Sequence, residues 1–341
     1  MKALRVAMLA PISWRVPPRH YGPWELVTSR LTEGLVARGV EVTLFASADS
    51  VTRAKLEAVC PRPLSEDPTL EAKVWEALHI ANAFERSRDA DILHNHYDFL
   101  PLTYSRLVDV PIVMTIHGFS SPKILPVYER YADRVRFVAI SDADRSPALP
   151  YAATIHHGIP FDDYPLGRGD GGYLLFFGRI HNDKGTAEAI AVARRAGLPL
   201  VIAGLIHDEA YHAREVVPHV DDDRVRYVGS VDQDDGARLL GGAVALLHLV
   251  NFDEPFGLSM IEAMATGTPV VATARGSVPE VVEDGVTGAI VRDVDGAADA
   301  IARVARLDRR TVRERACARF SQDRMVSEYL ALYERIVSGQ A

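Results

Sequence analysis

The sequence has only two cysteines, Cys60 and Cys317, and they lie far apart. Two distant cysteines make neither a disulfide framework nor a metal-ligand spacing, so a reducing compartment fits and the expected location is cytoplasmic. An excess of positive charge is also missing. Lys and Arg number 38 against 46 Asp and Glu, for a formal net charge of -8. A nucleic-acid partner is therefore not expected, because binding one needs a basic footprint. No apolar run approaches the roughly 20 residues of a membrane span. The N-terminal run in MKALRVAMLAPISW covers only about 8 residues before Pro11, short for the core of a signal peptide, and reads as a buried first strand. Residues 69–88 mix charges without a basic face, which leaves at most weak peripheral membrane contact.

What is present is a chain of 341 residues, 48% hydrophobic and 25% charged, long enough for two ordinary soluble domains. Short β-rich runs alternate with longer helical ones. Strands are predicted at 3–10, 40–46, 90–96, 110–118, 134–141 and 152–158, with helices at 24–39 and 69–88. The Pro-, Gly- and Asp-rich stretch IPFDDYPLGRGDGG (159–172) interrupts this rhythm and reads as a linker. The alternation restarts with strands at 173–179, 198–204, 224–231, 243–250 and 268–274 and a helix at 184–196. The fold class is therefore α/β: two Rossmann-like, doubly wound domains, 1–158 and 159–320. A last helix at 321–338 is expected to pack back on the first. Ligands of such sheets bind beyond the carboxyl ends of the strands, and two of them facing each other make a cleft suited to a small molecule.

The segment EPFGLSMIEAMATGTPVV (254–271) follows the strand AVALLHLV and places Glu254 and Glu262 eight positions apart. Ser259-Met-Ile-Glu262 fits a capping box, so Glu262 has a purely structural role open to it. A second role is open as well. Amides at a helix start, from about Gly257 to Met260, form an anion site, while carboxylates accept from neutral hydroxyls. A ligand carrying phosphates and sugar hydroxyls would use the whole segment. FFGRIHNDKG (176–185) adds Arg179 and Lys184 as cations for a diphosphate, bracketed by Gly178 and Gly185 for close approach of a ligand. His94, His96, Tyr97 and Asp98 end the strand ADILHNH and suit either acceptor contact or ordinary loop polarity. The acidic pairs and runs at Asp142, Asp144 and Asp221–Asp223 suit turns better than a metal.

These segments together resemble glycosyltransferase family 4, the retaining nucleotide-sugar transferases of the GT-B fold. EPFGLSMIEAMATGTPVV resembles the family's Glu-x7-Glu segment, FGRIHNDKG its phosphate loop, and GSVPEVVEDGVTGAIV (276–291) the segment that follows. PPRHYGPWELVTSRLTEGLVARGVEVTLFA resembles the N-terminal loop and first helix, MTIHG a strand-end His-Gly, and IHHGIPFDDYP the start of the interdomain linker. The short length and the YGPWE variant also resemble transferases of actinobacterial antibiotic-oligosaccharide pathways, such as avilamycin biosynthesis.

The resemblance implies a nucleoside-diphosphate sugar donor, UDP by family frequency, and a small-molecule or oligosaccharide acceptor, with no cofactor and no metal. It implies that Arg179 and Lys184 neutralise the leaving diphosphate, that Glu262 takes the ribose hydroxyls, and that Glu254 holds the transferred sugar with amides around Phe256, Gly257, Leu258 and Ser259. His117 would sit beside the donor sugar, and Gly22 would let the N-terminal loop approach it. Three positions depart from the family pattern: Gly22-Pro23 and Gly276-Ser277 where Gly-Gly is common, and His157 where Asn is common. A UDP-sugar epimerase of the same fold and a silent nucleotide-sugar-binding scaffold are the alternatives.

Overall fold

The structure, a computed structural model, describes residues 3–118 and 122–340. The chain forms two compact units. One holds the N-terminal segment to Gly158 together with the chain from Gln322 onward, and the other runs from Ile159 to Ser321.

The first unit is built on seven strands: β1 (Arg5–Leu9), β2 (Glu41–Phe45), β3 (Lys55–Glu57), β4 (Ile92–Asn95), β5 (Ile112–Ile116), β6 (Val135–Ala139) and β7 (Tyr151–Thr154). They pair in parallel in the order β3-β2-β1-β4-β5-β6-β7. Every residue of β4 and β5 is buried, as expected for central strands covered on both faces. The core on one face gathers Leu9, Phe45, Leu93, Met114 and Phe137 with Ile80 and Phe84 of the Ala72–Arg86 helix. The chain crosses from β1 to β2 on one side and later returns to β4 on the other, so a topological switch point lies beside β1.

The second unit repeats the plan with β8 (Leu174–Phe177), β9 (Leu200–Ala203), β10 (Val225–Tyr227), β11 (Ala245–His248), β12 (Val270–Thr273) and β13 (Gly288–Val291). The order is β10-β9-β8-β11-β12-β13, all parallel, with the switch point between β8 and β11.

The edge strands β3 (KLE) and β13 (GAIV) lie outside the predicted set: β3 has a single apolar residue and β13 opens on a glycine, so neither shows the β-rich run that marks the others. The linker stretch is not structureless. It begins with one turn of 3-10 helix at Phe161–Asp163, anchored by buried Phe161 and Tyr164.

The expected last helix proves to be preceded by another. Arg309–Phe320 belongs to the second unit, Ser321 breaks it, and Gln322–Val337 belongs to the first. Met325, Val326, Tyr329, Leu332 and Tyr333 bury one face of that final helix. Its start is tied to the Pro23–Ala37 helix by Gln322 Nε2 donating to Arg30 O at 2.7 Å and by the Arg38–Asp323 ion pair at 2.9 Å.

Candidate active site

The phosphate-loop segment follows β8, and the two-glutamate segment follows β11. Because these strands are neighbours, the two segments emerge side by side. Their backbones are locked together. Asn251 N donates to Asp183 O at 2.7 Å, and Asn251 Nδ2 donates to Asn182 O at 3.0 Å. Gly185, at φ 74°, packs so tightly that an added Cβ would lie 1.9 Å from Leu249 O. The expected room for a ligand at Gly185 is therefore taken by the protein's own strand end, and that glycine serves the docking of the two segments.

This docking brings Lys184 onto Glu254, with Nζ 2.6 Å from Oε2. Lys184 also lies over the Phe252 ring, 4.5 Å from its centroid. A third group joins them: His248, the last residue of β11, has Nε2 3.2 Å from the same Glu254 Oε2, and its Nδ1 is 3.4 Å from Ser259 Oγ. Burial alone would push the Glu254 carboxyl up, but the His248 ring and the Lys184 charge outweigh it and hold it down at about 2. Both contacts fall on Oε2. Among the described residues Oε1 takes no hydrogen bond, which leaves it to accept from a ligand hydroxyl. Arg179, half-buried after β8, has no hydrogen-bond or ion-pair partner among the described residues.

The capping-box expectation is overturned. The helix runs Leu258–Ala265 with Gly257 as its N-cap at φ 82°, and no side chain caps it. Ser259 thus lies inside the first turn. A side chain at 257 would meet Met260 Cε at 2.5 Å, besides having to adopt a left-handed backbone. The Met260 amide already donates to Gly257 O at 3.0 Å, so the expected run of open amides is shortened to the residues before it. Phe256 turns its ring into the core against Phe320, at 5.9 Å between centroids. The Gly276-Ser277 variant explains itself locally: Ser277 N donates to Glu254 O at 2.8 Å, and Ser277 Oγ to Phe256 O at 3.0 Å.

Glu262 has a different job from the one capping assigns. Its Oε1 accepts from Tyr164 Oη at 3.0 Å, both side chains being buried. Tyr164 is itself fixed by Arg313, whose guanidinium donates to the carbonyls of Phe161, Tyr164 and Ala265. The start of the linker therefore orients a site carboxylate.

In the first unit, Gly22 is the N-cap of the Pro23–Ala37 helix, and its carbonyl accepts from Leu26 N at 2.9 Å. Pro23 occupies the first helical position, where the missing N–H costs nothing. Glu25 is buried, and its Oε1 accepts from Trp14 N at 3.1 Å, tying the loop after β1 to the helix. Burial drives its carboxyl up to about 7 against the pull of the backbone N–H groups of Glu25 and Trp14.

His117 follows β5. Trp24 stacks on its ring at 5.5 Å and 19°, and the His157 ring lies 5.2 Å away. His94 and His96 do not line an open acceptor surface. Both are fully buried, and His96 Nδ1 is 2.9 Å from His117 Nε2. Burial lowers all these rings, His117 to about 3, so they are neutral at ordinary pH.

The acidic candidates are turns: Asp221 Oδ1 accepts from the amides of residues 223, 224 and 225, and Ser141 Oγ from Asp144 N. Among the described residues, no group of three or more His, Cys, Asp or Glu is arranged to hold a metal ion. Nor is any helix among them long and apolar enough to cross a membrane.

His248 and Tyr164 were missed by sequence reasoning. His248 sits inside an apolar strand and reads as one more buried residue. Its one signal is that a histidine there must find a polar partner. Tyr164 is 98 residues from Glu262, and nothing in the pattern links them.

Two parallel Rossmann-like sheets with cations and carboxylates at the strand ends define a GT-B glycosyltransferase. Residues 25–159 match the model described as Glycosyltransferase Family 4, and residues 165–319 match Glycosyl transferases group 1. The chain is similar to a glycogen synthase of Mycobacterium tuberculosis, 28% identical over 93% of this chain and 90% of the relative. It is equally similar to a D-inositol 3-phosphate glycosyltransferase of Mycolicibacterium smegmatis, 28% identical over 89% and 84%. Among solved structures it shares its fold with AviGT4, a glycosyltransferase involved in avilamycin A biosynthesis (TM-score 0.75, 23% identity, 98% of each chain). It also shares it with Anabaena HepE in complex with UDP and glucose (TM-score 0.74, 18% identity, 97% of this chain and 99% of that one). The two models together span most of the chain, which is a GT-B glycosyltransferase of family 4 type.

Proposed function

We propose that this enzyme transfers a sugar from a UDP-sugar to a hydroxyl of a small-molecule or oligosaccharide acceptor, with retention at the anomeric carbon and without a metal. The observation that carries the reading is the Lys184–Glu254 contact, with Arg179 after the same strand and the Gly257 helix start beside it. Breaking a sugar–phosphate bond builds negative charge on the diphosphate and positive charge on the sugar. Arg179, Lys184 and the amides near Gly257 would stabilise the first, as preorganised donors do most effectively. Glu254, through Oε1, would hold a hydroxyl of the transferred sugar, and Glu262 would take the ribose. His117 and Gly22 would serve the donor from the first unit.

UDP is favoured by the family frequency of that nucleotide and by the UDP complexes of HepE. No side chain stands out as a dedicated nucleophile, which favours attack on the same face as departure. The acceptor class, of the kind met in antibiotic biosynthesis, rests on the Tyr21-Gly22-Pro23-Trp24-Glu25 variant. A cytoplasmic setting follows from the cysteine usage.

The test is a panel of nucleotide sugars screened by thermal shift, with hits assayed for transfer or slow hydrolysis in excess chelator and the product anomer read by NMR. UDP-sugar turnover that survives EDTA and gives retained product is expected. Loss of turnover in EDTA, restored by Mg2+ or Mn2+, overturns metal independence. An epimerised UDP-sugar would identify an epimerase instead, and absence of any turnover a silent scaffold.

A further inference from the structure

The first unit buries a string of polar groups that no hydrophobic packing requires. Tyr333 Oη is 2.6 Å from His94 Nδ1, and His94 Nε2 is 2.8 Å from Thr115 Oγ1, which is 2.7 Å from Tyr329 Oη. His96 Nε2 is 3.2 Å from His94 Nδ1, and His96 Nδ1 is 2.9 Å from His117 Nε2. Both tyrosines come from the Gln322–Val337 helix, and all of these groups except His117 are fully buried. His117 Nδ1 is also buried and has no hydrogen-bond partner among the described residues.

The proton positions follow from the chemistry of the groups. A neutral imidazole has one N–H and one lone pair, and a phenol is a better donor to imidazole nitrogen than an acceptor from it. Tyr333, in the shortest contact of the string, donates to His94 Nδ1. His94 then carries its proton on Nε2 and donates to Thr115. The one lone pair on His94 Nδ1 accepts chiefly from Tyr333; the facing His96 Nε2 must also carry a proton, since two lone pairs at 3.2 Å repel, and it donates into the same pair as the longer, weaker arm of a three-centre contact. His96 Nδ1 is left as acceptor and takes the proton of His117 Nε2. What remains at His117 is a bare Nδ1.

We propose that His94 and His96, anchored by Tyr333, are positioning residues that fix His117 as its Nε2–H tautomer and present the unpaired Nδ1 as an acceptor for a sugar hydroxyl. Fixing a ring by what its other nitrogen touches is the general way proteins set a histidine tautomer. Burial, which keeps these rings neutral, preserves the alternation of donors and acceptors. The sugar hydroxyl as partner rests on the proposed function; the tautomer does not.

The experiment is two-bond 15N–1H NMR on the full chain labelled in histidine, with His117 assigned by the loss of its signals in His117→Gln. The expected result at pH 7 is a protonated Nε2 and a bare Nδ1 in the wild type, and a mixture of tautomers in Tyr333→Phe. The same variant should lose roughly fivefold in kcat/KM for the intact donor, the worth of one ordinary hydrogen bond, with binding of bare UDP unchanged. A wild-type His117 protonated on Nδ1 or on both nitrogens, or a tautomer unmoved in Tyr333→Phe, overturns the proposal. Should Tyr333→Phe fail to fold, the wild-type spectrum still decides. The expected tautomer in a protein that turns over no nucleotide sugar would defeat the proposed function and leave the relay standing.

Discussion

Lys184 and Glu254, 70 residues apart, meet at 2.6 Å because their strands are neighbours and Gly185 lets the loop close on Leu249. The two residues assigned separately to phosphate and sugar therefore form one unit. Lys184→Ala should cost both activity and stability. The expected loss in kcat/KM is roughly 2–4 kcal/mol of transition-state stabilisation. The stability loss should be on the order of 2–3 kcal/mol, below that of a fully orphaned buried charge because His248 remains. Arg179→Ala, which breaks no hydrogen bond or ion pair among the described residues, should lose comparable activity with a nearly unchanged melting temperature. Denaturant melts of the two variants beside their kinetics check the contrast.

Glu254 also predicts an acid limb. Its folded carboxyl is depressed to about 2, below the ordinary value of 4.5. Its stabilisation is thus present above about pH 4.5 and is lost as pH falls toward about 2. The amount is about 3 kcal/mol. Glu254→Gln should flatten the stability profile across that window, measured by urea unfolding at successive pH values.

The two glutamates should separate in binding. Glu254→Gln is expected to leave bare UDP near wild type and to weaken or slow only the intact donor, by about 1.5–3 kcal/mol. Glu262→Gln should weaken both. Tyr164→Phe removes the phenol that holds Glu262 and should weaken bare UDP by about 1 kcal/mol with turnover per bound donor unchanged. Calorimetric titration with UDP and with the intact donor distinguishes these outcomes. Equal loss of bare UDP in Glu254→Gln and Glu262→Gln would defeat the division of labour.

Glu25 predicts the opposite pH trend. Its folded carboxyl is raised to about 7, so the folded state holds a proton that the unfolded chain releases above about 4.5. Stability should therefore fall as pH rises from about 4.5 to about 7, by about 3 kcal/mol. Glu25→Gln, neutral throughout, should melt higher than wild type at pH 8 and close to it at pH 4.5.

The alternation of short apolar runs with longer amphipathic ones, the linker at 159–172 and the ordered set of short motifs were enough to read two parallel-sheet units and the family. The units follow from local periodicity and the family from the resemblance of its motifs, both of which a linear sequence carries directly. Strand β13, which opens on Gly288, and the helix Arg309–Phe320, whose sequence RRTVRERACARF carries few apolar residues, escaped because neither shows a clear apolar run or stripe. The capping box at Ser259 was a local reading that tertiary structure overrode: Gly257 took the cap, and Glu262 turned to Tyr164. Most contacts among the candidate residues join positions distant in the chain: Lys184 with Glu254 and Tyr164 with Glu262 in the second unit, and His96 with His117 in the first; only His248 and Glu254 are near in sequence. Sequence determined which chemical groups stand at the strand ends. Only the order of strands in each sheet decided which of those groups touch, because hydrogen bonds and ion pairs act over a few ångströms and strand order is set by packing across the whole sheet.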